Sequence, residues 1–479
     1  MKRLTKKQMI IFAVGQLGWS TLSGIINAML VTFYLPSAEN QEAGAIQFIK
    51  PGLIIFGVLT ILGLITAASR IFDAVTDPLI ANLSDRCKSK WGRRLPFMQI
   101  AAIPLSVVTV LLFCAPVNGT SGKNVVWVSV FIILFYLFMT MYCTPYNALI
   151  SEFGKTQDDR MFISTAISLT FFAGTLLAYS PMVFAGILQG SVSFNASYRI
   201  CFIVLAVIAC VCMLLPTFLL REKDFVDTKP SGVDMFRALG ATFKNREFRV
   251  FVGSDIMYWI GLTLFQTGLP FFVQTSMKLD ISMTMYFMGG MTVLSACFYP
   301  VVSGLTKKFG KKKLTVCGFL GLALAYLITA LINVNVLPGA VFGVLICVIA
   351  AFPMALLGII PQAIVADVAE ADGRESGENK EGMFFAARTF AMKWGQSIAM
   401  LVFTSLAIIG TPQNTGANDI TASPFGLRLV AIVAIAFCLV GALLLTLYNE
   451  KKIMKTIAKD GETAAEEVAE TADAPGEDA

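Results

Sequence analysis

The sequence predicts an all-α membrane protein whose twelve transmembrane helices form two pseudo-symmetric six-helix bundles. Three observations support this fold class: the abundance of apolar residues, the number of long apolar stretches, and a motif that recurs in the second half of the chain. Of the 479 residues, 56% are hydrophobic and only 14% are charged, whereas charged residues make up about 25% of a soluble domain. The excess apolar surface is therefore expected to face the lipid bilayer.

Twelve apolar stretches are long enough to cross a bilayer, since about 20 residues suffice for a helix. Six lie at residues 9–35, 53–83, 95–114, 125–150, 161–188 and 200–220. Six more lie at residues 250–273, 283–305, 314–332, 340–365, 383–409 and 425–447. We therefore predict an N-terminal bundle over residues 1–220, a cytoplasmic central loop over 221–249 and a C-terminal bundle over 250–450.

Three polar segments need separate interpretation. The tail, residues 451–479, is largely acidic and carries no aromatic residue, so it is predicted to be a disordered cytoplasmic segment. In the central loop, Val233–Leu239 has the pattern of a short amphipathic helix on the membrane surface. The basic N-terminus and the apolar run after it resemble a signal peptide, but that run is too long and no cleavage site follows. We interpret it as a retained first helix.

The basic residues of the loops are unevenly distributed. One set of loops carries Arg86, Lys88, Lys90, Arg93, Arg94, Lys155, Arg160, Lys307, Lys308, Lys311, Lys312 and Lys313. The other set carries few basic residues, such as Lys50, Lys123 and Lys278. By the positive-inside rule, the first set, both termini and the central loop are cytoplasmic. We expect a multi-pass plasma-membrane protein, as in a bacterial inner membrane.

A short motif recurs in the two halves. Gly92-Arg93-Arg94 follows the second apolar stretch, and Gly310-Lys311-Lys312 follows the eighth. Each is preceded by a small residue, three spacers and a charged residue. An internal repeat of this kind is typical of secondary transporters, which bind their substrate between the repeats near the middle of the membrane. The alternative is that short cytoplasmic loops tend to be basic whatever the fold.

The composition excludes several functions. The chain has no histidine, so histidine-based metal sites and proton relays are excluded and coupling to a cation must depend on carboxylates. Its ten cysteines show no zinc-type spacing and are expected to be small apolar residues within helices. The sequence has neither a metal-binding cluster nor a nucleophile elbow, so nothing in it indicates an enzyme. No cofactor and no obligate protein partner is implied, and no basic face indicates nucleic-acid binding.

The second apolar stretch carries two carboxylates, Asp73 and Asp77, four residues apart. Residues at this spacing share one face of a helix, with Cβ atoms about 5–6 Å apart. A charge at the centre of a bilayer costs about 2.5–3.5 kcal/mol on insertion scales. Two carboxylates therefore need a shared cation, a shared proton or a basic partner, and Arg70 lies one turn earlier. The pattern predicts a cation site, and the alternative is a structural ion-pair cluster near the cytoplasmic end.

The eleventh apolar stretch carries Thr389 and Lys393, again four residues apart. Lys393 lies about 15 Å into this helix, too deep for its ammonium to reach water readily. We expect Asp73 or Asp77, across the interface between the bundles, to be its counter-ion. The alternative role, compatible with the first, is a salt bridge that only stabilises one conformation.

Polar and aromatic side chains in other stretches are candidates for contact with a solute. Thr140 and Cys143 lie one turn apart in the fourth stretch, and Asn147 follows one turn later. Three aromatic residues have rings on which a sugar can stack: Trp19, Tyr146 and Trp394. Single aromatic residues of this kind more often belong to packing or to the interfacial belt.

A motif in the second stretch resembles the helix-II signature of the glycoside–pentoside–hexuronide:cation symporters. It reads Arg70-x-x-Asp73-Ala-x-x-Asp77-Pro78, followed by Asp85 and by Trp91-Gly92-Arg93-Arg94-x-Pro96. Asp367, Glu381-Gly382 and Lys393-x-Gly395 are similar to the helix X–XI region of the same family. The resemblance extends over essentially all of the hydrophobic chain. It implies a major-facilitator fold, alternating access and a coupling cation, H⁺ or Na⁺.

The resemblance and the residue patterns together give two candidate sets. The cation ligands are Asp73, Thr76, Asp77 and Thr140. The solute-binding residues are Trp19, Ser20, Cys143, Tyr146, Asn147, Arg388, Thr389 and Lys393. Arg70 and Lys393 are expected to form a charge network with the two carboxylates.

The chain also departs from the pattern of the family. Cys143 stands where the family has a third aspartate, and Trp19 and Ser20 replace a lysine–aspartate pair. These losses of acids, with the gain of Arg388, favour an anionic solute such as a hexuronide, because a guanidinium binds a carboxylate with two hydrogen bonds. The alternative is that Arg388 pairs with an acidic neighbour such as Asp255. A thiol is a poor ligand for Na⁺, so a proton is at least as good a candidate for the coupling ion.

These observations predict a secondary active symporter that couples H⁺ or Na⁺ entry to uptake of a small glycoside, pentoside or hexuronide. One alternative is a carrier of the same fold for a non-sugar solute such as a lysolipid. Another is a membrane sensor or scaffold that does not transport. The sensor predicts no uptake into vesicles, whereas the symporter predicts uptake that collapses when Asp73 or Asp77 becomes asparagine.

Overall fold

The structure, a computed structural model, describes nine parts of the chain. They are residues 3–50, 60–87, 89–154, 157–225, 240, 242–332, 334–376, 381–410 and 422–457. Within these parts the chain is nearly all helical, and its only β-type pairing is an isolated bridge between Ser89 and Gly92.

Twelve long helices account for most of the described residues. In chain order they are α1 (Lys6–Tyr34), α2 (Ile61–Arg86), α3 (Leu95–Leu112), α4 (Gly122–Phe153), α5 (Gln157–Tyr179), α6 (Phe194–Leu219), α7 (Arg246–Phe271), α8 (Met283–Phe309), α9 (Lys311–Ala330), α10 (Gly339–Ser376), α11 (Glu381–Leu406) and α12 (Pro424–Thr446). Ten of them are long and apolar enough to cross a membrane. The other two, α2 and α11, carry the charged residues Asp73, Asp77, Arg388 and Lys393.

Several helices begin at a side chain that accepts a backbone N–H group, which satisfies a donor that would otherwise lack a partner. Thr5 caps α1 in a capping box with Gln8. The Thr60 hydroxyl accepts from the N–H of Gly63 at 3.1 Å at the start of α2, and Asn245 caps α7 in the same way. These capping residues set where the helices start.

Some boundaries differ from those expected from the sequence. The fifth apolar stretch is interrupted after α5, because Pro181 has no N–H to donate and starts a separate short helix, Pro181–Leu188. Helix α10 continues well past its expected end, to Ser376. Helix α7 continues into a π-helical turn, Phe272–Ser276. The start of the second stretch and the amphipathic stretch Val233–Leu239 lie outside the described residues.

The beginning of the predicted disordered tail is helical. Residues 450–457 form a short helix after α12, and the Asn449 side chain accepts the N–H of Lys452 at its start. The disorder predicted from residue 451 is therefore wrong for these first residues. Residues 458–479 lie outside the described part of the chain.

The two halves use the same helix pairings. In the first half, α1 packs against α5 and α6, α2 against α4, and α3 against α4 and α6. In the second half, α7 packs against α11 and α12, α8 against α10, and α9 against α10 and α12. Each pairing in one half therefore has its counterpart six helices further on, as an internal repeat requires.

The repeated motif has the same structure in both halves. A carboxylate of Glu222, just after α6, accepts the N–H groups of Arg94 at 2.8 Å and Leu95 at 3.1 Å at the start of α3. A carboxylate of Glu450, just after α12, accepts the N–H groups of Lys311 at 2.7 Å and Lys312 at 3.1 Å at the start of α9. An acid at a helix N-terminus is stabilised by the unpaired donors there and by the helix dipole. The repeated motif in the sequence therefore corresponds to a structural repeat.

Glycines make these two helix starts possible. Gly92 has φ +125° and Gly310 has φ +83°, a region that residues with a side chain rarely adopt. A Cβ atom on Gly92 would also lie within 2.4 Å of a Glu222 carboxylate oxygen. The glycine of each motif is therefore required both for the backbone turn and for the approach of the capping acid.

The halves contact each other mainly through α2 and α11, with further contacts between α1 and α7 and between α5 and α8. We call the end where α1 begins and α12 ends the termini side, and the other end the far side. On the far side, the Gln274 side chain accepts from Ser37 at 3.0 Å and exchanges hydrogen bonds with Asn40 at 2.8 and 3.2 Å. Lys278 lies 3.5 Å from Glu39 nearby. These four contacts join one half to the other.

Two further hydrogen bonds join the halves between this far-side group and the middle of the bundle. The Thr267 hydroxyl on α7 donates to the Asn27 carbonyl on α1 at 3.5 Å. The Tyr179 hydroxyl on α5 donates to the Gln266 carbonyl on α7 at 3.3 Å. The halves are thus held together from the middle of the bundle to the far side.

Candidate functional site

An ion-pair cluster joins the two halves at mid-depth of the bundle. The Lys393 ammonium on α11 lies 2.7 Å from a carboxylate oxygen of Asp73 and 2.6 Å from one of Asp77, both on α2. The contact that the sequence analysis expected between Lys393 and these acids is therefore present. The side chains of Asp73 and Lys393 are 4% and 11% exposed, whereas that of Asp77 is 22% exposed. Asp77 is thus the acid that is more open to an incoming ion.

Helix α2 presents both acids to α11 because they are four residues apart on a helix without interruption. Asp73 lies twelve residues after Ile61, so it is about 18 Å from the start of α2. Lys393 lies twelve residues after Glu381 in the antiparallel α11. Both therefore lie near the midpoint of their helices, where a buried charge needs a partner most.

Two threonines of α4 complete the coordination of the acids. The Thr140 hydroxyl donates to the second oxygen of Asp73, and the Thr144 hydroxyl donates to the second oxygen of Asp77 at 3.2 Å. Each carboxylate therefore has one oxygen on the Lys393 ammonium and the other on a threonine. The predicted ligand Thr140 thus lies in the site, and the sequence analysis missed Thr144. The four-residue spacing of the threonines, equal to that of the aspartates, is the signal that identifies it.

The predicted ligand Thr76 contacts its own helix. Its buried hydroxyl donates to the Asp73 carbonyl at 3.0 Å. In the described conformation it therefore contacts neither carboxylate side chain. An ion at this site has the two carboxylates and the hydroxyls of Thr140 and Thr144 as its available oxygen atoms, which are ligands suited to a hard cation.

Arg70 lies one turn before Asp73 and is buried. Its guanidinium donates to the Asn27 side chain on α1 at 2.9 Å and lies over the Tyr136 ring, 4.6 Å from the ring centre. No ion pair joins Arg70 to an acid among the residues that the structure describes. The predicted charge network therefore consists, in direct contacts, of Lys393 and the two aspartates, with Arg70 beside it as a buried positive charge.

Four of the predicted solute-binding residues remain at least partly exposed. Cys143 and Asn147 lie on α4 beyond Thr140, with Cys143 half-buried and Asn147 exposed. Trp19 and Thr389 are half-buried, and the Thr389 hydroxyl donates to the Phe385 carbonyl of its own helix at 3.0 Å. These side chains therefore keep surface that the rest of the protein does not cover.

Two predicted solute-binding residues are buried within the first half. The Tyr146 side chain is fully buried, stacks on Phe12 and donates to its carbonyl at 2.9 Å. Ser20 is buried where α1 packs against α5, so closely that a Cβ atom on Gly174 would lie 2.0 Å from its hydroxyl. Both side chains therefore serve helix packing in this conformation, and the expectation that they contact solute is not supported by the geometry.

Arg388 pairs with Asp255, the alternative that the sequence left open. The guanidinium donates to both carboxylate oxygens, at 2.9 and 3.0 Å. Both residues belong to the second half, on α7 and α11, and the Asp255 side chain is completely buried. The Arg388 guanidinium already makes its two hydrogen bonds to Asp255. It therefore gives no support to the prediction of a carboxylate-bearing solute.

Comparison with protein families and solved structures gives a consistent result. A sequence model of the family described as MFS/sugar transport protein matches residues 11–450. The isoprimeverose transporter of Lactiplantibacillus pentosus is 23% identical over 358 residues, covering 72% of this chain and 71% of that protein. A putative glycoside/cation symporter of Escherichia coli (strain K12) is 24% identical over 401 residues, covering 81% and 82%. A lactose permease of Leuconostoc lactis is 24% identical over 455 residues, covering 88% and 67%.

Solved structures show the same fold. The nucleoside transporter NupG, in a D323A mutant, aligns with a TM-score of 0.64 at 13% identity, covering 93% of this chain and 100% of that one. A bacterial homologue of the human drug peptide transporters PepT1 and PepT2 aligns with a TM-score of 0.63 at 13% identity, covering 93% and 99%. At this identity the likeness concerns the fold alone, and it confirms the predicted arrangement of two helical bundles.

Proposed function

Because the chain belongs to the MFS/sugar transport protein family, we propose that it is a symporter that couples entry of H⁺ or Na⁺ to uptake of a neutral glycoside. The family makes it a multi-pass membrane transporter of the sugar type and not an enzyme. One observation supports coupling to a cation. The Lys393 ammonium of one half lies between the Asp73 and Asp77 carboxylates of the other. Two acids share one ammonium in direct contact, so their oxygens can bind a cation in place of that ammonium.

The coupling ion binds in competition with Lys393. Its ligands are the oxygens of Asp73 and Asp77 and the hydroxyls of Thr140 and Thr144, which already lie on the carboxylates. Without the ion, the ammonium pairs with both buried acids and offsets part of the cost of removing them from water. With the ion bound, the ammonium is released towards the solute, where it can donate to sugar oxygens.

This exchange provides the link between ion and solute. Lys393 belongs to the second half and the acids to the first, so the ion pair holds the halves together at α2 and α11. An ion that weakens this contact and frees a donor for the solute favours solute binding, and by linkage the solute favours ion binding equally. Such a coupling free energy is typically about 1–3 kcal/mol.

A neutral sugar fits the site better than an anionic one. Two relatives are named isoprimeverose transporter and lactose permease, and a third is named a putative glycoside/cation symporter. Arg388 is the residue that favours a hexuronide. Its guanidinium is hydrogen-bonded to Asp255 within one half, so it is not available to a carboxylate of the solute. Lys393 and hydroxyl-bearing or amide side chains such as Asn147 and Thr389 are suited to the hydroxyl groups of a sugar.

The charge distribution and the contacts between the halves support one orientation in the membrane. The termini side carries the basic residues Arg93, Arg94, Lys311 and Lys312, so it faces the cytoplasm of a plasma membrane. The hydrogen bonds around Gln274 close the far side. We infer that the described conformation, whose far side is closed, opens towards the cytoplasm.

Uptake by proteoliposomes tests this function. The purified chain is reconstituted and given isoprimeverose, lactose or methyl β-glucuronide, with Na⁺ and pH gradients imposed separately. We expect accumulation of a neutral sugar that is driven by one of the two gradients. Asp77→Asn should reduce the accumulation by about 5- to 150-fold, whereas Asp280→Asn, the same change at an exposed residue, should leave it intact.

Two outcomes would contradict the proposal. No accumulation of any of the three sugars with either gradient would favour a carrier of another solute or a sensor. Accumulation that survives Asp77→Asn with unchanged dependence on the gradient would place the cation site elsewhere.

A further inference from the structure

Two tryptophans occupy equivalent positions in the two halves. Trp19 lies thirteen residues after Lys6, the first residue of α1, and Trp259 lies thirteen residues after Arg246, the first residue of α7. Helices α1 and α7 are counterparts in the repeat and run in the same direction. Trp19 is among the solute-binding residues predicted from the sequence, and Trp259 is not.

Both tryptophans lie at the same distance from a contact between the halves. The Thr267 hydroxyl on α7 donates to the Asn27 carbonyl on α1. Each of these residues lies eight positions beyond the tryptophan of its helix, which is about 12 Å along the axis. Trp19 and Trp259 therefore lie on the termini side of this contact, one in each half, at the level where the proposed transport path opens.

The tryptophans also share the depth of the ion-pair cluster. Lys393 lies twelve residues after the start of α11, about 18 Å, and each tryptophan lies about 20 Å from the start of its own helix. All three helices start on the termini side. The two tryptophans, one in each half, thus lie at about the same depth as Lys393.

Each tryptophan contacts the equivalent helix of its own half. Trp19 lies on Phe171 of α5, with ring centres 6.4 Å apart. Trp259 lies against Gly395 of α11, where an added Cβ atom would come within 3.1 Å of the tryptophan Cβ. Gly395 follows Lys393 by two residues, so Trp259 is held on the helix that carries the ammonium.

The indole N–H groups of Trp19 and Trp259 have no hydrogen-bond partner in the described part of the molecule, and both are shielded from solvent. A buried donor without an acceptor costs free energy and calls for an explanation. Trp127 shows the ordinary arrangement, since its N–H donates to the Leu111 carbonyl at 2.8 Å. Both rings are otherwise half-buried, so each keeps part of its surface accessible.

We propose that Trp19 and Trp259 are a matched pair of solute-contacting residues, one from each half, that hold a glycoside between their rings. This inference depends on the proposed transport of a sugar. The C–H face of a sugar ring packs on the indole, and the two N–H groups, after each side chain turns, donate to sugar oxygens as the halves close. Closure on a solute then satisfies two donors that lack acceptors in the described state, so a polyhydroxylated solute stabilises the closed state.

Phenylalanine variants test the N–H groups, because phenylalanine keeps an aromatic ring and removes the donor. The full chain in proteoliposomes carries Trp19→Phe, Trp259→Phe, both together, or Trp127→Phe as the matched control. We expect each of the first two to raise the half-saturating concentration of isoprimeverose or lactose by roughly 3- to 10-fold, as for loss of one hydrogen bond. The double variant should show roughly the product. Trp127→Phe should match the wild type.

Two further measurements separate solute contact from folding. The half-saturating concentration of the driving cation, measured without sugar, should stay unchanged in Trp19→Phe and Trp259→Phe. The sugar-dependent change in tryptophan fluorescence should diminish in both variants and persist in Trp127→Phe. A purely structural role predicts that cation and sugar affinities fall together.

The outcomes distinguish this inference from the proposed function. Wild-type uptake together with wild-type sugar affinity in both phenylalanine variants overturns the pair and leaves the symporter intact. If Trp259→Phe behaves as wild type and only Trp259→Ala fails, the N–H is not used and the inference is wrong. Absence of sugar uptake by the wild type overturns both.

Discussion

The Lys393 ammonium lies 2.6 Å from a carboxylate oxygen of Asp77 across the boundary between the two halves. Asp73, four residues away on the same helix, takes the other side of the ammonium at 2.7 Å. A charge so deep in the bundle would be costly alone, and the triad offsets that cost by pairing charges from different halves. In the proposed mechanism, the residue that stabilises the described state is also the residue that the coupling cation displaces.

Replacing Lys393 by methionine should destabilise the protein at neutral pH. The change leaves two buried acids without their counter-ion, and breaking a buried ion pair by removing one partner costs about 3–5 kcal/mol. The melting temperature in detergent should fall clearly. Lys278→Met, which removes an exposed lysine from its contact with Glu39, should have little effect, since exposed pairs contribute about 0–1 kcal/mol.

The same variant identifies the coupling ion. If Na⁺ is the ion, Na⁺ should raise the melting temperature of the Lys393→Met variant more than that of the wild type, because it no longer competes with the ammonium. If a proton is the ion, lowering the pH should stabilise the variant instead. A variant stabilised by neither would contradict a cation site at Asp73 and Asp77.

Asp73→Asn and Asp77→Asn should each uncouple transport from the cation. Both changes keep the shape of the side chain and remove the negative charge that attracts the ion. Accumulation against a gradient should fall by about 5- to 150-fold, the range that a coupling of 1–3 kcal/mol gives. Exchange of labelled sugar across the membrane without a gradient is the companion measurement, and it should be retained at least in part. Loss of exchange and accumulation together in both variants would indicate a structural role.

Thr144→Val should weaken binding of the coupling cation by roughly 3- to 10-fold, because it removes the hydroxyl that donates to Asp77 at nearly constant volume. Thr144→Ser should restore most of the affinity. Thr170→Val is the matched control, since that hydroxyl bonds only within α5. Equal cation affinity in Thr144→Val and wild type, measured by cation-dependent uptake, would remove Thr144 from the site.

The fold could be predicted from local features because the membrane imposes a strong rule on sequence. Long apolar stretches must be helices in lipid, and the two glycine-basic motifs marked the repeat that Glu222 and Glu450 realise in three dimensions. The contact between Lys393 and the aspartates also followed, since buried charges require partners. These predictions needed no knowledge of side-chain directions.

Side-chain directions explain what the sequence did not reveal. Tyr146 and Asn147 are adjacent in α4, yet one is fully buried in helix packing and the other is exposed. Thr140 and Thr144 reach the acids because the rotation of α4 about its own axis turns both threonines towards α2. Such rotations depend on the packing of every helix in the half. Trp259 became informative only when its missing hydrogen bond and its match to Trp19 were visible.

Arg388→Met should test whether this arginine serves stability or solute selection. The substitution leaves the Asp255 carboxylate buried and unpaired, so the free energy of unfolding should fall by about 3–5 kcal/mol. The double variant Arg388→Met with Asp255→Leu removes both charges and should recover most of that loss, because an apolar pair of similar volume often replaces a buried ion pair without cost. Thermal melting in detergent measures both effects.

Solute selectivity gives the second half of this test. Since the Arg388 fork is engaged by Asp255 at 2.9 and 3.0 Å, the ratio of methyl β-glucuronide to lactose uptake should be the same in the double variant and in the wild type. A double variant that is stable but selectively loses the glucuronide would show that Arg388 leaves Asp255 to bind an acidic sugar. The choice between a neutral and an anionic solute thus depends on whether one buried ion pair opens during transport.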